Sequence, residues 1–103
     1  MADITTDTHT LMVTIVAHGN VSVGNVVAPP QVFTGDAFVI TYDAVNNGGT
    51  DACYGKLIDN ADSSIIDEWE ETIESTMTKS VTINHAGITA NLDATIEVGY
   101  RTL

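Results

Sequence analysis

Apolar and polar residues alternate along most of this chain with a period of two, the repeat of a strand whose successive side chains point to opposite faces. The cleanest stretch runs from Ala37 to Val45, where Phe38, Ile40 and Tyr42 oppose Val39, Thr41 and Asp43. Similar stretches cover Val21 to Val27, Ala52 to Asp59, Ile65 to Ile73, Lys79 to Asn84 and Leu92 to Tyr100. Residues that interrupt a ladder or favour tight turns separate them: Pro29-Pro30, Thr34-Gly35-Asp36, Asn46-Asn47-Gly48-Gly49, Asn60-Ala61-Asp62-Ser63 and Gly87. Proline lacks the ladder donor, and Gly, Asn and Asp tolerate or stabilise turn geometry.

A seventh segment, Thr10 to Ala17, is apolar on both faces, with Leu11, Val13 and Ile15 on one and Met12 and Val16 on the other. That pattern predicts an extra N-terminal strand covered on both sides, preceded by a polar, flexible stretch over residues 1–9. One segment carries two periods. Ile66, Trp69, Ile73 and Met77 are spaced as a helical stripe with Asp67 as a cap, whereas its brevity and β-branched residues favour a strand. The inward set is predicted as Phe38, Ile40, Tyr42, Leu57, Trp69, Ile83, Ile96 and Val98, with Val81 beside Ile83. Short strands at this spacing, separated by Gly and Asn turns, predict one all-β domain over residues 1–103, an immunoglobulin-like β-sandwich of about seven strands.

Charge narrows the partners. Fourteen acidic side chains face three basic ones, Lys56, Lys79 and Arg101, for a net charge of −11. Such a surface repels phosphate backbones and anionic lipid, which argues against nucleic acid and membrane surfaces. It leaves a protein partner, further copies of the chain, cations and glycans. No apolar run approaches the ~20 residues of a membrane span, and the acidic N-terminus lacks the pattern of a signal peptide. The expected location is therefore the cytoplasm or a virion, or the cell exterior if a signal has been removed. The sequon Asn20-Val21-Ser22 matters only for a secreted product.

The stretch Val32 to Asp51, Val-Phe-Thr-Gly-Asp-Ala-Phe-Val-Ile-Thr-Tyr-Asp-Ala-Val-Asn-Asn-Gly-Gly-Thr-Asp, resembles the start of a bacterial and archaeal cell-adhesion-related domain of the CARDB type. The segments Gly55 to Asp59, Trp69 to Ile73 and Ser80 to Ile83 are similar to later strands of that family, and the resemblance covers about Val21 to Tyr100. It implies a seven-stranded immunoglobulin-like sandwich used as a spacer or adhesive unit, with no catalytic residues to carry over. The chain departs from the pattern at both ends. With Leu92 to Tyr100 as the penultimate strand the last one is missing, and the extra strand Thr10 to Ala17 stands in front. Leu11, Val13 and Ile15 are thus the candidate assembly residues, filling an open edge beside Leu92 to Tyr100. Closure within its own chain is the expected arrangement, insertion into a neighbour the alternative.

Few residues suggest chemistry. Asp67, Glu68, Glu70, Glu71 and Glu74 surround Trp69, a combination found in sugar sites, but charge on an edge strand also discourages edge-to-edge pairing. Asp59, Asn60 and Asp62, beside Ser63, are weak candidate metal ligands. They lack the alternating oxygens and glycine of a calcium loop, so any calcium there would be adventitious and no cofactor is expected. His9, His18 and His85 share no ligand spacing. The single cysteine, Cys53, reads as a small buried hydrophobe. These readings point away from an enzyme. They favour a non-catalytic structural or interaction module that builds or decorates a larger assembly, most specifically a virion-associated protein of a phage or archaeal virus. The alternative is a cell-surface adhesion or carbohydrate-binding module from a larger protein.

Overall fold

The computed structural model describes residues 2–102. Six strands form: β1 (Val21–Val27), β2 (Phe38–Asn46), β3 (Asp51–Asp59), β4 (Ile65–Ile73), β5 (Thr78–His85) and β6 (Ala94–Tyr100). They build two antiparallel three-stranded sheets, ordered β1-β2-β5 and β4-β3-β6, which face each other as a β-sandwich. No helix among the described residues is long and apolar enough to cross a membrane.

The period of two selects the core. Ile40, Tyr42 and Ala44 of β2 are buried with Val81 and Ile83 of β5, against Cys53 and Leu57 of β3 and Ile73 of β4. Phe38, Trp69, Ile96 and Val98 pack on this cluster but stay partly exposed. The inward faces of β2, β3, β5 and β6 are therefore those the alternation predicts. Trp69 reaches across the sandwich, its Nε1 donating to the Tyr42 hydroxyl at 2.7 Å. Gly55 makes this possible, because a Cβ there would stand 2.2 Å from Trp69 Nε1 and 2.6 Å from the Tyr42 oxygen. Burial of the Tyr42 ring raises its hydroxyl pKa, opposed in part by the Trp69 bond. Lys79 of β5 closes the same flank, pairing with Glu71 of β4 at 2.6 Å and lying over the Trp69 ring.

The segment with two periods resolves as the favoured strand, through Ile73 and followed by a turn, since β4 pairs with β3 from Asp51↔Ile73 onwards. One expectation is corrected. The strand expected over Thr10 to Ala17 does not form, so the sandwich has six strands rather than seven. Leu11, Val13 and Ile15 are 77%, 80% and 94% exposed and do not close their own sandwich. A strand needs a ladder partner, and an apolar, β-branched run supplies only the ability to pair. The segment instead runs away from the body. The molecule measures 86 × 27 × 14 Å, of which a nine-residue strand accounts for roughly 30 Å along the chain direction.

Candidate functional site

Two features stand out from the closed flank of β4 and β5: an open groove on the opposite flank, and the projecting N-terminal segment. The groove, about 860 Å³, lies between β1 and β6 at the end of the sandwich marked by Phe38 and Ala94. Its floor includes Ile40 and Leu57, its walls Val26, Phe38, Ala94 and Ile96, and its mouth the loops before β2 and β6. No acidic or basic residue lines it, although the chain carries fourteen acids. Both bordering strands are sheet edges. β1 is an irregular one, with Asn25 at φ 50 and a register shift between Gly24 and Val27. Such a bulge is a common device for ending a ladder at an edge. β6 is regular along its whole pairing with β3, and among the described residues no backbone hydrogen bond reaches its outer side.

The projecting segment is fastened at the other end of the sandwich. Asn46, fully buried at the end of β2, holds the junction. Its Oδ1 accepts from the backbone N–H groups of Asn20 (3.1 Å) and Gly48 (3.0 Å). Its Nδ2 donates to the carbonyls of Gly49 (2.9 Å) and Ile73 (2.8 Å). Next to it, Asp51 Oδ2 accepts from Gly19 N–H at 3.0 Å and meets His18 Nδ1 at 2.9 Å. The Gly19 N–H, then His18, hold the Asp51 carboxyl below its ordinary pKa. The His18 ring stacks on Tyr100, at the end of β6, with centroids 4.3 Å apart. Gly48 and Gly49 let the chain pass closely: a Cβ on Gly49 would stand 2.0 Å from the Ala17 carbonyl oxygen.

The other candidates have ordinary partners. Arg101 spans Glu68 and Glu70 on the outer face of β4, and its bond lowers the Glu68 pKa. The acidic cluster around Trp69 is thereby split, since Glu71 pairs with Lys79 across the sandwich and Trp69 points to Tyr42. Asp59 and Asp62 each accept from a backbone N–H two residues on, at Ala61 and Ser64, and the Ser64 hydroxyl, then its N–H, lowers the Asp62 pKa. Asn60 bonds Asp93 and Thr95. Asp59 ends β3, and Asn60 and Asp62 are turn residues. No group of three or more His, Cys, Asp or Glu side chains among the described residues could hold a metal ion. Cys53 is buried, and desolvation raises its thiol pKa.

Sequence reasoning singled out Leu11, Val13 and Ile15 but missed Asn46 and Asp51. The only available signal was their place beside Gly48-Gly49, which reads equally well as a plain turn. Compared with known proteins, the chain matches no family model, no curated protein and no solved structure.

Proposed function

We propose that this chain is a non-catalytic immunoglobulin-like module, similar to the CARDB type, that builds or decorates a larger assembly. The observation that carries this reading is the pairing of unsatisfied apolar features. Leu11, Met12, Val13, Ile15 and Val16 project into solvent, and the same molecule presents an open, uncharged groove. Exposed apolar surface of this extent is costly for an isolated soluble domain and marks interaction sites. The sheet orders β1-β2-β5 and β4-β3-β6 fit an immunoglobulin-like sandwich with the position beside β6 unfilled. The pairing of Glu68, Glu70 and Glu71 with Arg101 and Lys79 supports a structural rather than catalytic role for the acidic cluster.

The most specific form of this reading is a virion-associated protein of a phage or archaeal virus, which belongs with a protein partner or homo-oligomer. A cell-surface adhesion or carbohydrate-binding module is the second reading, favoured by the CARDB resemblance alone. Light scattering on the full chain over a wide concentration range tests the first. Discrete higher masses support assembly. A strictly monomeric chain that binds an immobilised glycan panel supports the second reading instead.

A further inference from the structure

We infer that the N-terminal segment of one copy is the missing edge strand of the next: residues 11–16 lie in a neighbour's groove and pair with β6. This rests on the assembly reading above and names the partner as a second copy of this chain.

Four observations fit donor to acceptor. The first is length. Residues 10–17 extend over about 26 Å, and the seven residues of β6 over about 23 Å. The second is chemistry. Residues 8–18 contain no acid, a departure in a chain of net charge −11, and the groove lining is likewise uncharged. The third is the side-chain period. Leu11, Val13 and Ile15 share one face and meet a groove walled by Ala94 and Ile96, while Thr14 faces outward with Thr95 and Glu97. The fourth is the free edge. β1 passes close to β6 but no ladder joins the two, so a strand inserted between them gains backbone bonds as well as burial.

Direction chooses between the chain's own groove and a neighbour's. The segment leaves at the Tyr100 end, held by His18, Asp51 and Asn46. The groove opens at the Ala94 end. Folded back on its own molecule, the segment would run parallel to β6, in a protein whose ladders are all antiparallel. Between copies stacked in one orientation, the segment enters at Ala94 and runs towards Tyr100 with its chain direction opposed to β6. That is the antiparallel arrangement, which is slightly more stable per residue. A head-to-tail contact of this kind is heterologous, so it produces rings or open fibres rather than a two-fold dimer.

The test uses the full chain at low salt and at about 0.5 M salt, which screens repulsion between acidic copies. Light scattering should give a series of masses rising with concentration, more readily at high salt. Val13→Asp and Ile15→Asp alter side chains that lie largely in solvent in the monomer, so both should fold, with an unchanged circular dichroism spectrum. Each should raise the concentration needed for assembly by about 100-fold or more, because a carboxylate would be buried against the aliphatic side chains of Ala94 and Ile96 in a groove with no basic partner. The double variants Thr14→Cys with Thr95→Cys, and Thr14→Cys with Glu97→Cys, cover the two registers that keep Val13 inward. On oxidation, one should give a ladder of covalent multimers. Assembly that survives both aspartate variants, without cross-links, overturns the strand exchange and leaves the assembly reading standing. Cross-linking within single chains, with no rise in mass, overturns it in favour of self-closure. A full chain that is monomeric under all conditions overturns both the exchange and self-assembly.

Discussion

Asn46 makes a quantitative claim about how the two sheets are tied at one end. Replacing it with Ala removes four hydrogen bonds at once, to Asn20, Gly48, Gly49 and Ile73. The Ile73 carbonyl is the enclosed partner and loses its side-chain donor outright, at a cost of about 1–3 kcal/mol for an unsatisfied buried group. The other three partners are nearer solvent, and water entering the vacated space replaces part of what is lost, leaving ~0.5 kcal/mol or so each. Asn46→Ala should therefore destabilise the chain by about 3 kcal/mol, a large share of the ~5–15 kcal/mol available to a domain of this kind. Urea unfolding followed by Trp69 fluorescence gives the number. With a slope of roughly 1–1.5 kcal/mol/M, the midpoint should fall by about 2–3 M. Asn46→Asp is the sharper control. It keeps the acceptor oxygen but turns a carboxylate on the carbonyls of Gly49 and Ile73, and it should be at least as damaging near neutral pH. A loss below about 0.5 kcal/mol for Asn46→Ala would refute the idea that this side chain holds the junction.

Three further outcomes follow from the same contacts. Gly55→Ala should cost at least ~2 kcal/mol, because its Cβ meets Trp69 and Tyr42; an unchanged denaturation midpoint and Trp69 emission would contradict the packing. Cys53 should react with a thiol reagent far more slowly in the native state than in urea, since it is buried with its pKa raised; equal rates would count against burial. Asp51, whose pKa is lowered in the fold, contributes stability that is present above its unfolded value of about 3.9 and lost as pH falls through the folded value. Stability should thus decline from about pH 4 downwards, and Asp51→Asn should flatten that decline; superimposable acid profiles would exclude the contribution.

The strands from Val21 onwards were legible because each has both a period of two and a turn signal at its ends. β1 and β4 match the sequence reading to the residue, and the others start or stop within two residues of it. Turn chemistry and alternation are local properties, and they decide an element wherever a partner strand lies nearby. Residues 10–17 have a strand-forming run that is apolar on both faces but no partner in the chain, so this local signal predicts a strand that the monomer does not contain. Asn46 failed for the opposite reason. Asn before Asn-Gly-Gly is an ordinary turn residue, and its burial depends on Ile73, twenty-seven positions away. The Arg101 pairs with Glu68 and Glu70 are equally long-range. Trp69 stood between, placed on the inner face by period but only half enclosed, because its ring lies at the flank beside Lys79.

The junction at residues 18–20 also decides how the molecule bears load. A pull on Ala17 along the long axis does not reach β1 alone. His18 passes it to Asp51 at the start of β3 and to Tyr100 at the end of β6, and Asn20 passes it through Asn46 to β2 and to the last carbonyl of β4. Tension is shared by both sheets before any ladder opens. If the strands lie along the pull, their ladder bonds are then loaded side by side in shear, whereas an unsupported β1 would peel from β2 one bond at a time. The clamp therefore makes the N-terminal segment a tether attached to both sheets rather than to one edge strand.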